Sequence, residues 1–265
     1  MVDQKNEYIL EAVGIRKHFG GVYAVDNVDL RLKHNEILGL VGDNGAGKST
    51  LIKIISGILK KDEGEIYVDG QKVDIDNPND ANNLGIETVY QDLNLIDNQN
   101  VPFNIFLGRE IIYGGLLKYF GFLNYKSMFN ESVNLISKLD IGLSDIARPM
   151  QEYSGGQRQS VALSKLIYWG ARIAILDEPT AALGVKESKK ALEMIKMLKI
   201  KSNLSVIIIS HNLHHVFSIV DRIMVLRQGK RVTVQDADKL TADDVVKYIT
   251  GSEEVQRART SETLG

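Results

Sequence analysis

The 265-residue sequence contains no cysteine, which excludes disulfides and thiolate metal sites and is compatible with a reducing compartment. An excess of basic charge is also missing. Thirty-two Lys and Arg stand against 34 Asp and Glu, for a net charge of −2, so no electrostatic footprint points to nucleic acid. No apolar run approaches the roughly 20 residues that a membrane-spanning helix needs. The opening stretch MVDQKNEYILEA is acidic and polar and has no secretory-signal core. Internal repeats and low-complexity tracts are absent. The expectation is a chain soluble by itself that docks on something that is not. What remains is a hydrophobic fraction of 44%, sufficient for a packed core, in a length suited to one large α/β domain.

Periodicity supplies the elements. Residues 7–15 and 24–32 read as strands, with Val28, Leu30 and Leu32 alternating against polar neighbours. EILGLV (36–41) is a short apolar run of the kind a strand buried on both faces shows. A helix is expected from Gly47 to Ile55, a hairpin piece at EGEIYVDG (63–70) and a strand at IETVYQ (86–91). The stretch 92–152 reads as a helical insertion. Its clearest helix is SMFNESVNLISKLDI (127–141), with Met128, Val133, Ile136 and Leu139 near one face. From Ser154 the alternation resumes. It runs as a helix to Trp169, strand 172–177, helix 186–198, strand 205–210, a short helix at 212–219, two strands about Gln228-Gly229 and a helix at 241–250. This rhythm implies an α/β fold with a mainly parallel sheet covered on both faces.

Chemistry concentrates in a few stretches. Gly42-Asp43-Asn44-Gly45-Ala46-Gly47-Lys48-Ser49, followed by Thr50, matches G-x-x-x-x-G-K-[ST] between an expected strand and helix. Its glycines let main-chain amides curl around phosphate oxygens at a helix start. Lys48 is expected to reach the β/γ phosphates, and the Ser49 hydroxyl to bind Mg²⁺. Asp177 ends a strand, where a carboxylate can hold Mg²⁺ through water. Glu178 follows and points elsewhere, so it can orient or deprotonate an attacking water; the pair also fits a solvated acidic turn before Pro179. Gln91 ends a strand with an amide able to touch Mg²⁺ or the water, or is an ordinary polar strand end. His211 can hydrogen-bond a γ-phosphate or be a structural histidine. With His214 and His215 it has spacing that mimics a metal site without a third ligand type. Phe19, in HFGG, stacks on an adenine or belongs to the core.

A second anion-binding start occurs in YSGGQRQS (153–160). Ser154 is a good N-cap, and Gly155 and Gly156 expose amides where the helix dipole is positive, ahead of Gln157.

With these stretches in order, the chain over about 8–235 resembles the ATP-binding cassette family. GDNGAGKST is similar to its phosphate loop, Gln91 to its Q-loop glutamine and YSGGQ to its signature. AILDEPT resembles its magnesium-and-base strand, His211 its switch histidine and Phe19 its adenine-stacking aromatic. The resemblance implies a P-loop NTPase with a RecA-like core, an antiparallel β subdomain and a helical subdomain. Residues 1–251 would form the ATPase domain, with the helical subdomain inserted at about 92–160 and 252–265 as a polar tail. It further implies ATP and Mg²⁺ as ligands and Ser49, Gln91 and Asp177 around the metal. Glu178, His211, Gln91 and Lys48 would serve hydrolysis. Two cassettes would pack head to tail, so that Ser154, Gly155, Gly156 and Gln157 cover the nucleotide of the other copy.

Two departures from the family pattern stand out. Tyr153 opens the signature where leucine is common. Gly184, in TAALGVKE (180–187), replaces an aspartate that normally bonds across the dimer, or only makes a tight turn. GREIIYGGLLKYFGFLNYKSM, TAALGVKES and ISHNLHHVFSIVDRIMVLRQGKR resemble the subfamily importing monosaccharides such as ribose, xylose or fructose, in its single-cassette form. The implied partners are a second copy or paired subunit, integral membrane permease subunits and, indirectly, a sugar-binding protein, on the cytoplasmic face of the membrane. Leu116, Leu117, Tyr119, Phe120 and Phe122 could line the permease groove, with half or more expected in the subdomain core. Alternatives of another kind are a cassette ATPase of a non-sugar or non-transport system, and a nucleotide-gated scaffold without turnover.

Overall fold

The structure, a computed structural model, describes residues 7–143, 145–181 and 183–252; the side chains of residues 116–118 are outside the description. The expected tail beyond Ser252 and the residues Leu116 and Leu117 of the expected groove fall there. The chain divides into two compact units. One holds residues up to Thr88, Arg172–Glu178 and the chain from Leu198 on; the other holds Val89–Ala171 and Pro179–Met197.

In chain order the elements are β1 Tyr8–Phe19, β2 Val22–Lys33, β3 Ile37–Val41, α1 Lys48–Ile55, β4 Glu63–Val68, β5 Gln71–Val73, α2 Pro78–Asn83, β6 Ile86–Val89, α3 Val101–Phe106, α4 Tyr125–Lys138, α5 Gly155–Tyr168, β7 Ile173–Asp177, α6 Val185–Ser202, β8 Ser205–Ile209, α7 Leu213–Ile219, β9 Arg222–Arg227, β10 Lys230–Asp236 and α8 Ala242–Thr250. Short 3-10 turns lie at Gly115–Phe120, Met150–Glu152 and Ala237–Lys239.

The first unit carries two sheets. One is antiparallel, in the order β2-β1-β4-β5. Its alternating Val28, Leu30 and Leu32 are fully buried, as the pattern required. The other has the order β10-β9-β3-β8-β7-β6. Within it β9, β3, β8 and β7 pair in parallel, and β10 runs antiparallel against β9. Every residue of β3 and β8 is buried, which is why both read as unbroken apolar runs rather than alternations. Parallel pairing brings the carboxyl ends of β3, β8 and β7 side by side. In open α/β sheets that edge is where ligands bind. Here it carries Gly42, Ser210 and Asp177.

The second unit is built from α3, α4, α5 and α6 as far as Met197. Fully buried Phe106 meets Tyr168 edge-on at 4.6 Å between ring centroids; burying such a side chain contributes about 1.5–3 kcal/mol. The inward face of α4 differs from the expected one. Met128, Ser132, Leu135 and Ile136 are buried, whereas Val133 is 41% exposed. Ser132 is admitted because its hydroxyl donates to the Met128 carbonyl at 2.8 Å, so no unpaired polar atom enters the core.

The expected helical stretch 92–152 is helical only in part. An isolated bridge between Ile112 and Leu123, with the Tyr113 amide donating to the Phe122 carbonyl at 2.9 Å, closes a loop. Tyr119, Phe120 and Phe122 project from it, 89%, 71% and 55% exposed. The expectation that such residues serve the core fails for these three. The short α2 was absent from the sequence reading. Asn77 and Asp80 form its capping box and Pro78 opens it. Six residues hold less than two turns, too few for a periodic signal.

Candidate functional site

The phosphate loop leaves β3 through Gly42 and enters α1 through Gly47. A Cβ at Gly42 would lie 2.3 Å from the Leu226 carbonyl oxygen, and one at Gly47 would lie 2.4 Å from that of Ala24. Both residues also have positive φ, 154° and 100°. Glycine is therefore required twice over. The loop is held from behind by the turn between β9 and β10. The Gly229 amide donates to the Ala46 carbonyl at 3.0 Å, and the Asp26 amide donates to the Gly229 carbonyl at 2.8 Å. Gly47 offers α1 no capping side chain, so the first amides of that helix stay available to an anion. Asn44 and Gly45 are exposed, as is Ser49, while Thr50 is partly buried. Lys48 is buried and donates to the carbonyls of Gly42 at 2.7 Å and Asp43 at 2.9 Å. Burial pulls its pKa down, against the opposing charges of Glu178, Asp43 and Asp177.

Asp177 closes β7, and burial pushes its carboxyl up despite Lys48 and His211. Glu178 departs from the strand with a φ of 52°, a left-handed conformation unusual for a residue with a Cβ. Its amide donates to the Ile209 carbonyl at 2.9 Å. Its carboxylate is only 10% exposed, with Oε1 3.0 Å from His211 Nε2. Oε1 is buried and makes no hydrogen bond. Burial lifts the Glu178 pKa and Asp177 adds to the lift, while His211 and the Ser210 hydroxyl pull it down. His211 itself is largely exposed. Ser210 was missed in the sequence, where only its place beside His211 hints at it.

Two raised carboxyls have a consequence for stability. A native pKa above the unfolded value means that the native state binds more protons in that window. Stability is then fully present below the unfolded pKa and falls as pH rises through the native one. Asp177→Asn is accordingly expected to raise the melting temperature at pH 7.5 and to change it little at pH 4. Each kcal/mol relieved is worth about 2–4 °C in a chain of this size. Differential scanning calorimetry at the two pH values checks this; an equal shift at both would assign the effect to packing instead.

Phe19 lies at the end of the β1–β2 hairpin, 53% exposed, with Lys17 Nζ 5.8 Å from its ring centroid. Tyr23, also about half exposed, stands nearby, edge-on to His18 at 5.9 Å. An uncovered aromatic pair on a strand end favours stacking over the core reading of Phe19. Tyr23 had no motif to mark it.

Gln91 and the 153–157 stretch belong to the second unit. Gln91 is exposed, two residues beyond β6. Ser154 and Gln157 form a capping box on α5: the Gln157 amide donates to Ser154 Oγ at 3.3 Å and the Ser154 amide to Gln157 Oε1 at 3.0 Å. The Ser154 hydroxyl accepts there, so its own proton stays free to donate. The amides of Gly155 and Gly156 open the helix. Tyr153 is buried, its hydroxyl donating to the Asp145 carbonyl and its ring covered by the Arg148 guanidinium at 5.0 Å. It serves as a core anchor, which accounts for a large residue at that departure.

Residues 25–181 match the ABC transporter family. The chain is 43% identical to the xylose/arabinose import ATP-binding protein XylG of Sulfolobus acidocaldarius, over 91% of this chain and 94% of that protein. It is 42% identical to the fructose import ATP-binding protein FrcA of Rhizobium meliloti, over 95% and 97%. Among solved structures it is similar to an ATP-binding cassette determined as a dimer in a post-hydrolysis state with ADP and Pi. The TM-score is 0.71 and the identity 25%, covering 86% of this chain and 98% of that one. The loop on β3, the carboxylates on β7 and the histidine after β8 thus stand on the fold of these cassettes, and the chain belongs to the ABC transporter family.

Proposed function

We propose that the chain is the ATP-binding and ATP-hydrolysing subunit of an importer for a monosaccharide. One observation carries the ATPase reading. A glycine-cradled anion site with its lysine and a buried carboxylate paired with a histidine occupy the carboxyl ends of three adjacent strands. The sugar reading is supported by the likeness to the xylose/arabinose and fructose import proteins and rests on that analogy rather than on side-chain chemistry.

In this reading the amides at the start of α1 hold phosphate oxygens, and Lys48 exchanges two loop carbonyls for the β/γ phosphates. Phe19 stacks on the adenine. Glu178 takes the proton of the attacking water, its burial raising its basicity, and His211 donates to the γ-phosphate. The residues fit a bound Mg²⁺. Asp177 is a half-buried carboxylate at a strand end, the Ser49 hydroxyl stands exposed at the helix start, and an orphaned Glu178 oxygen lies beyond. Ser49 and Asp177 would hold the ion, which when bound would neutralise charge on the phosphates. A second copy, or a paired cassette subunit, supplies Ser154 and Gly156 to the γ-phosphate and shields it from water.

Residues 1–251 form the ATPase domain and act at the cytoplasmic face of the membrane, on integral permease subunits fed by a sugar-binding protein. No helix among the described residues is long and apolar enough to cross a membrane, and the exposed Tyr119, Phe120 and Phe122 suit contact with a partner. The test is uptake of labelled ribose, xylose and fructose by cells lacking this chain. Uptake of one of them is expected to vanish, and to return with the wild type but not with Glu178→Gln. Unchanged uptake of all three would exclude those sugars and direct the search to another substrate.

A further inference from the structure

The glycine at position 184 has an explanation in the second unit that the tight-turn reading does not supply. Gly184 does not adopt a positive φ, so its backbone places no demand for glycine. What a side chain there would have to displace is the carboxylate of Glu187, in the first turn of α6. A Cβ on Gly184 would lie 2.6 Å from Glu187 Oε2. The stem of the same side chain crosses the start of α5. A Cβ on Gly156 would lie 2.9 Å from Glu187 Cγ and 3.1 Å from its Cβ. One side chain therefore fills the space left by two glycines, one before α6 and one in the first turn of α5. It also forms part of the wall of a groove of about 790 Å³ in this unit, together with Ser154, Gly156 and Gln157. A carboxylate in the first turn of α6 is favoured by that helix's dipole, so its placement is stable without a cationic partner.

We propose that Glu187 is a positioning residue for the 154–157 stretch. Its stem seats the start of α5, and its carboxylate takes the place of an acidic side chain at 184, so that positions 184 and 187 form one compensated pair. The catalytic part of this proposal rests on the reading that 154–157 covers a nucleotide. An aspartate at 184 would put a second carboxylate into occupied space, combining overlap with like-charge repulsion. Removing Glu187 at the same time would vacate that space.

The experiment is a double-mutant cycle on the full chain with Gly184→Asp, Glu187→Ala and the pair. Steady-state phosphate release, binding of a fluorescent ATP analogue and melting temperature are read for each. Gly184→Asp alone is expected to lower kcat about tenfold, a coupling within the range found for residues in contact. The double variant is expected to return to within about threefold of wild type. Analogue binding stays constant throughout, because the phosphate loop belongs to the first unit. A retained stem should matter on its own, so Glu187→Gln is expected to keep more activity than Glu187→Ala. Full activity of Gly184→Asp, or a double variant no better than it, overturns the proposal. Coupling seen in melting temperature but absent from kcat overturns the positioning role and leaves only packing. A wild type that releases no phosphate refutes the ATPase reading instead; the thermal cycle then still decides whether 184 and 187 share one space.

Discussion

Glu178→Gln protein is expected to release phosphate from Mg-ATP about 10²–10⁴ times more slowly than wild type, the range for loss of a general base, while binding Mg-ATP as well as before. The expectation follows from where the carboxylate is held. Its backbone is reversed at a φ of 52° and anchored to β8 through the Ile209 carbonyl, and Oε1 is buried with no hydrogen bond. Such an arrangement costs the fold of order 1 kcal/mol or more in backbone conformation alone, and it makes the carboxylate more basic than an exposed one. An amide of equal size keeps the packing and loses the proton acceptor. Phosphate release under saturating nucleotide and analogue titration separate the two effects. Turnover at the wild-type rate would transfer the base role to another group. Phosphate release below detection in the wild type itself would favour the scaffold reading.

Lys48→Ala is expected to weaken ATP binding by about a hundredfold or more, in line with deleting one partner of a desolvated charge pair, while melting changes by only a few degrees. The ammonium donates to two loop carbonyls, and burial works against its charge. Its loss therefore removes hydrogen bonds and a desolvation penalty together. Lys48→Arg is not expected to rescue binding, because a planar fork does not fit a space shaped for a compact ammonium. Calorimetric titration with ATP and a thermal melt of each variant provide the check. An alanine variant that binds like wild type would remove the phosphate loop from the account.

Much of this was legible before any coordinates. Fully buried strands announce themselves as apolar runs, so β3 and β8 could be read directly, and the phosphate loop carries its own geometry in its glycines. The signature helix was legible through its capping residues. What escaped depended on hydrogen bonds and contacts that residue type alone does not announce. Val133 fits the inward face of α4 by periodicity, yet Ser132 takes that place because a local hydrogen bond hides its hydroxyl. Tyr119, Phe120 and Phe122 could be read as groove or as core, and in the loop closed by the Ile112–Leu123 bridge all three are exposed. The need for glycine at 42 comes from a carbonyl at position 226, which no sequence window centred on Gly42 reaches.

The support behind the phosphate loop also sets an order of events at the ribosome. Gly42 and Gly47 leave the exit tunnel early, but the strand end at Leu226 and the turn at Gly229 that brace them are translated some 180 residues later. At about 5–20 residues per second, this delay is on the order of ten to forty seconds. Until then the loop has the earlier-made Ala24 carbonyl beside Gly47 but neither of the supports from Leu226 and Gly229. The complete brace of the phosphate loop can therefore form only once the last two strands of its sheet have been made.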